Sequence, residues 1–138
     1  MLDYPIQYMG VNAPREHQRI ISRLILHLGN LFINGSINYE PLSETMLDEG
    51  KTSPTPDVIL TDNVLEKDVL MIEITTTRGE NDDFQKTKEL VKKYNLEEGF
   101  TYNYKNGKWR KFKFGVGEIT ENPAFSEAIG YDLNEFVK

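Results

Sequence analysis

Residues 69–75, Val-Leu-Met-Ile-Glu-Ile-Thr, constrain the fold of this chain more than any other stretch. The run is apolar at nearly every position. Strands that alternate apolar and polar have one wet face, whereas unbroken apolar strands belong to sheets covered on both sides. Glu73 interrupts the run with a carboxylate. An isolated ionised carboxylate in apolar surroundings is costly, so Glu73 has to be paired, protonated or bound to a metal. Sixteen residues earlier, Asp57 follows Pro56 and opens a second apolar run, Val58-Ile59-Leu60. If the two strands are neighbours, both carboxylates project from one end of the sheet towards a shared point. Two such groups and a backbone carbonyl form a hard oxygen site suited to Mg²⁺ or Mn²⁺. The alternative is structural: Asp57 caps a strand and Glu73 pairs with a base such as Arg19 or Arg23.

The elements that would cover this sheet are legible on either side. A helix starts near Asn12-Ala13-Pro14, with asparagine as N-cap and proline in the first turn. Ile20, Ile21, Leu24, Ile25, Leu28, Leu31 and Phe32 give it a wide apolar stripe, and Asn34-Gly35 ends it. A short strand is expected over 37–40, followed by a Ser/Thr/Gly/Pro-rich loop over 41–56. Strands are expected at 57–61 and 69–75, then a second helix over 82–94 with Phe84, Thr87, Leu90, Val91 and Tyr94 on one face. Strands at 100–104 and 109–114 flank Lys105-Asn106-Gly107-Lys108, a strong hairpin signal. Asp132-Leu133-Asn134-Glu135 resembles a capping box opening a brief terminal helix. Gly115-Val116-Gly117 reads as a turn. The order predicts an α/β (α+β) domain with one mixed sheet.

The 138 residues suit a single domain, and 38 % hydrophobic content is enough for a core. No cysteine is present, which excludes disulfides, thiolate metal sites and a cysteine nucleophile. Neither a membrane-length apolar run nor a signal-peptide pattern is seen, so a soluble cytoplasmic protein is the expectation. No spacing suggests a zinc site or a Gly-rich phosphate loop.

Pro56-Asp57 and the strand glutamate Glu73 resemble the paired acids of the PD-(D/E)XK nuclease superfamily. Within it the chain is similar to the Uma-two family of restriction-endonuclease-like proteins. Five features match in order: Glu16-His17-Gln18-Arg19-Ile20-Ile21, the Pro-Asp strand, Glu73-Ile74-Thr75, the Asp82-to-Lys86 helix start, and Gly130-Tyr131-Asp132-Leu133 with Phe136. The resemblance spans residues 12–138 and implies metal-dependent phosphodiester hydrolysis by a single restriction-endonuclease-like domain, residues 1–138. Asp57 and Glu73 would hold Mg²⁺ (or Mn²⁺), with the Ile74 carbonyl as third ligand. The superfamily's usual lysine, two residues after the glutamate, is here Thr75. The resembled family places the lysine on the following helix, which points to Lys86, with Lys88 as competitor on the opposite edge of the apolar face. His17 reads either as a site residue bonding a carboxylate or phosphate, or as a partly exposed histidine beside Glu16; it stays outside the catalytic set. His27 reads as structural.

Charge is unevenly spread. The chain totals −6, yet residues 86–113 hold nine Lys or Arg against three Glu, a local +6 that leaves −12 elsewhere. Trp109, Lys111 and Lys113 share one face of the second hairpin strand, and Arg110 lies on the other. This ribbon, with an exposed tryptophan, would suit nucleic-acid binding; as a plain edge strand it would use lysines to prevent aggregation. The expectation is a Mg²⁺-dependent DNA endonuclease acting as a homodimer. The alternatives are a catalytically inactive nuclease-fold protein serving as a binding or assembly module, and a globular domain whose carboxylates only pair.

Overall fold

The computed structural model describes residues 14–48 and 54–138. The expected Asn12 cap lies outside them. Helix α1 spans Arg15–Ile33, with Pro14 as its N-cap and no side-chain capping bond. Ile20, Ile21, Leu24 and Leu28 form its buried stripe. Helix α2 spans Glu80–Tyr94, two residues earlier than expected, with Gly79 as its N-cap. Acids fill that turn and Lys92 and Lys93 the last, matching the helix dipole.

Six strands form one sheet in the order β1-β2-β3-β4-β5-β6. They are β1 (Glu40–Ser43), β2 (Val58–Asp62), β3 (Lys67–Thr75), β4 (Glu98–Asn103), β5 (Lys108–Lys113) and β6 (Gly117–Ile119). Only β3 and β4 run parallel, joined by α2; every other neighbouring pair is antiparallel. Every residue of β3 from Val69 to Thr75 is buried, as its unbroken apolar character required. On one face, α1 packs against Val58, Leu60, Leu70, Ile72 and Ile74, with Phe100, Tyr102 and Trp109 continuing the core. On the other, Phe84, Leu90 and Val91 of α2 cover Ile59, Met71 and Phe112. Gly99 makes the second contact possible. A Cβ there would lie 2.6 Å from both Thr87 Cγ2 and Val91 Cγ2, so only glycine lets α2 lie this close to β4.

The first strand differs from the sequence reading. It begins at Glu40 and includes Pro41, whereas residues 37–40 were the expected strand and 41 onward the loop. Proline is tolerated because β1 is an edge strand, and Ile37 is buried from outside the strand. The 105–108 hairpin forms as read: Asn106 accepts from the Lys108 N–H at 2.9 Å and Gly107 takes φ 75°. After β6, a small ribbon of β7 (Phe125–Ser126) and β8 (Tyr131–Asp132) leads into a 3₁₀ turn, Leu133–Phe136. Asp132 caps that turn by accepting from the Asn134 N–H at 2.9 Å. Leu133 and Val137 close the α1-side core. Among the described residues no helix is long and apolar enough to cross a membrane.

Candidate active site

The β2–β3 register places Val58 opposite Ile72. One residue further along, Asp57 comes opposite Glu73, at the C-terminal end of β3. The two residues hold each other through crossed bonds: the Asp57 N–H donates to Glu73 Oε1 at 2.8 Å, and the Ile74 N–H donates to Asp57 Oδ2 at 2.8 Å. Each carboxylate thus accepts from backbone beside the other, and the pair is fixed by the strands. Glu73 faces α2, from which Lys86 extends its ammonium to 3.0 Å from Glu73 Oε2. From the first turn of α1, His17 Nε2 lies 3.3 Å from Asp57 Oδ2. Four residues from four elements therefore meet at one end of the sheet.

Their electrostatics are linked. Burial pushes the Glu73 carboxyl above its ordinary value, the Asp57 charge adds to the effect, and Lys86 opposes it. His17 is raised by its hydrogen bond to Asp57, with burial opposing and the carboxylate charges assisting. Burial works against the Lys86 charge, but Glu73 outweighs it and the ammonium is held above its ordinary range. In the donor set, two hard carboxylate oxygens on adjoining strands suit Mg²⁺, which needs few protein ligands because it keeps several waters. Among the described residues no group of three or more His, Asp or Glu side chains is arranged to hold a metal ion, so any ion here would rest on the two carboxylates, backbone oxygen and water. A cation between Asp57 and Glu73 would compete with Lys86 and His17 for the same oxygens.

The carboxylate's partner is neither arginine named from the sequence: Arg19 bonds Glu16 at 3.2 Å, and Arg23 reaches the Val137 carbonyl at 3.4 Å. Lys88 lies over the Phe84 ring, 5.7 Å from its centroid, away from Glu73. Thr75 is buried with its hydroxyl directed to the Thr76 carbonyl, so no cation comes from that strand position. His27 stacks on Phe136, with ring centroids 5.5 Å apart. His17, outside the catalytic set expected from the sequence, belongs to the cluster, and the sequence carries a signal for it. Residues 17, 20, 21, 24 and 28 continue one helical stripe, so His17 points the way the core residues do.

The hairpin differs from the expectation. Trp109 is only 6 % exposed, packs against Tyr102 at a centroid distance of 4.7 Å, and donates its indole N–H to Asn134 Oδ1 at 2.9 Å. Lys111 is 1 % exposed; its ammonium bonds the Phe125 carbonyl at 2.8 Å and Glu127 at 3.0 Å, and lies 3.3 Å from Glu98. Lys113 also bonds Glu127, at 2.9 Å. Arg110 makes a two-pronged pair with Glu118, bonds Asn81, and covers the Phe84 ring at 4.1 Å. The face shared by Trp109, Lys111 and Lys113 was read correctly, but the C-terminal segment covers it. With 6 % exposure and Tyr102 packed against it, the Trp109 ring is a core side chain rather than the exposed platform expected. The edge-strand alternative also fails, since β5 lies between β4 and β6. A cleft of about 750 Å³ beside Trp109 and Lys111 is a seam between β5 and that segment.

No family model matches the chain, and no curated protein matches it. Solved structures do. A DUF820 protein from Anabaena variabilis, described as a candidate nuclease, superposes with a TM-score of 0.67 at 13 % identity, covering 91 % of this chain and 83 % of that one. The type IIG restriction endonuclease BpuSI superposes with a TM-score of 0.58 at 15 % identity over 78 % of this chain, which spans only 13 % of that larger protein. At these identities the likeness establishes architecture, and the mixed sheet flanked by two helices is a restriction-endonuclease-like fold.

Proposed function

We propose that this chain is a divalent-metal-dependent nuclease hydrolysing phosphodiester bonds in DNA, of the Uma-two type within the PD-(D/E)XK superfamily. The observation that supports it best is the meeting of Asp57, Glu73 and Lys86 at the C-terminal end of β3 in a restriction-endonuclease-like fold. In this reading Asp57, Glu73 and the Ile74 carbonyl hold Mg²⁺ or Mn²⁺. The ion supplies Lewis-acid polarisation of the scissile phosphate and an acidified water. Lys86 stands where Thr75 cannot act, leaving Glu73 to stabilise charge developing on the phosphate. His17 orients Asp57 through its Nε2. A homodimer would let two such sites address the two strands of a duplex.

The test is a pair of measurements. Titration calorimetry with Mn²⁺ is expected to show binding that Asp57→Ala and Glu73→Ala abolish. Supercoiled plasmid incubated with Mn²⁺ is expected to be nicked by the wild type and not by Glu73→Ala. Metal binding untouched by either substitution would sink the proposal. A second reading, a binding module without catalysis, draws on the resting geometry: His17 and Lys86 already meet the charges of both acids. Under that reading DNA is retained on a gel but never cut, with or without Mn²⁺.

A further inference from the structure

Among the described residues, two buried side-chain polar atoms have no hydrogen-bond partner: His17 Nδ1 and Thr101 Oγ1. One belongs to the cluster at Asp57. The other lies beside Glu73, since the parallel register of β3 and β4 pairs Glu73 with Thr101. The Glu73 and Thr101 side chains therefore share the sheet face that α2 covers. Gly99, two residues before Thr101 on the same strand face, looks onto Thr87 and Val91 of that helix, and Glu73 meets Lys86 there. Glu73 is therefore flanked by Asp57, just before β2, and by Thr101 from β4.

A hydroxyl that is 1 % exposed and makes no bond loses its hydration without compensation, and valine would fill the same space at less cost. In the resting site Glu73 has no need of it, because the Asp57 N–H takes Oε1 and Lys86 takes Oε2. A divalent cation changes this. An ammonium and a metal ion repel each other across one carboxylate, so Lys86, whose side chain is half-exposed, withdraws and Glu73 loses one of its two donors. Thr101 is a neutral donor that can remain beside a cation, and carboxylates that hold metals are themselves held by outer hydrogen bonds.

We propose that Thr101 is a positioning residue, its hydroxyl donating to the Glu73 carboxylate when a divalent cation displaces Lys86. This rests on the metal-binding reading above. The Thr101 hydroxyl orients the ligand and touches neither metal nor substrate.

The test compares Mn²⁺ titrations of chelator-stripped wild type, Thr101→Val and Thr101→Ser, alongside thermal melts of the metal-free proteins. Thr101→Val is expected to bind Mn²⁺ roughly 10-fold more weakly or worse while melting no lower than the wild type. Thr101→Ser, which keeps the hydroxyl, is expected to bind Mn²⁺ nearly as the wild type does. Unchanged affinity in Thr101→Val, with Asp57→Ala still abolishing binding, would overturn the role of Thr101 and leave the metal site standing. A metal-free Thr101→Val that melts well below Thr101→Ser would also overturn it, by showing that the hydroxyl has a resting partner. A wild type that takes up no Mn²⁺ would remove both readings together.

Discussion

Substituting Lys111 with methionine removes a charge from a place where almost no water reaches. Its ammonium is 1 % exposed and lies 3.3 Å from Glu98, whose side chain is 2 % exposed. In Lys111→Met, Glu98 still accepts from Ser126 Oγ at 2.6 Å and from the Glu127 N–H at 2.8 Å. It then has no positive charge within the interior. Removing one partner of such a buried pair typically costs about 3–5 kcal/mol. Unfolding entropy scales at about 2.1 cal/mol/K per residue, roughly 0.3 kcal/mol per kelvin for a chain of this size. The melting midpoint should therefore fall by about 10–17 °C. Urea unfolding followed by circular dichroism gives the free energy directly, and an unchanged slope would assign the loss to the native state. The double variant Glu98→Gln/Lys111→Met should recover most of it, because no unpaired charge then remains inside. A single variant losing less than about 1 kcal/mol, within the range of an exposed ion pair, would refute the reasoning and restore Lys111 as a surface cation.

Three further outcomes follow from the geometry. Because the His17 pKa is raised in the folded protein, its stabilising contribution is complete below pH 6.5 and disappears as pH climbs through the raised value. Metal-free His17→Gln should accordingly lack the decline in urea midpoint above pH 6.5; an identical pH profile would disprove the Asp57 contact. Gly99→Ala should cost about 1–3 kcal/mol through overpacking against Thr87 and Val91, and an unaltered melt would mean that α2 does not press on β4 as described. The Glu127 carboxyl, hydrogen-bonded by Lys113 and Lys111, is lowered to about 2 from 4.5, so its contribution is present above pH 4.5 and fades as pH falls towards 2. Glu127→Gln should flatten the acid limb of the stability curve across that window, and a parallel acid limb would break the assignment.

The sequence made the central sheet and the acid pair legible because both depend on short-range pattern. An unbroken apolar strand has to lie inside, and a carboxylate within it has to meet something. Lys86 could be separated from Lys88 by helical angle and by likeness to a family, and the structure puts the ammonium of Lys86 on Glu73. His17 was readable from its stripe, yet a lone histidine on a first turn carries little information about what lies across from it. The hairpin misled for another reason. Alternation sorts side chains between two faces but is silent about what covers them, and Lys111 is covered by residues 125–127, outside the local pattern. Counting charges along the chain treated each lysine as solvated, whereas Lys86, Lys108, Arg110, Lys111 and Lys113 all face carboxylates of this molecule. The first strand was misplaced because Pro41 marks a loop everywhere except at a sheet edge.

The two faces of the sheet draw on very different spans of chain. The fully buried residues of the α2-side core lie between Ile59 and Phe112, with Leu42 and Leu47 packed against their edge, whereas the α1-side core runs from Ile20 to Val137. Pairings that close long loops form late, since their entropy is lost before their contacts are gained. The α2 face should therefore consolidate first during folding and bring Lys86 to Glu73 early. His17 rides on α1, so a state in which the α2 face has formed and α1 is still undocked would present the acid pair with its lysine and without its histidine. Pulsed hydrogen exchange would reveal this as protection of β3, β4 and α2 amides ahead of those in α1.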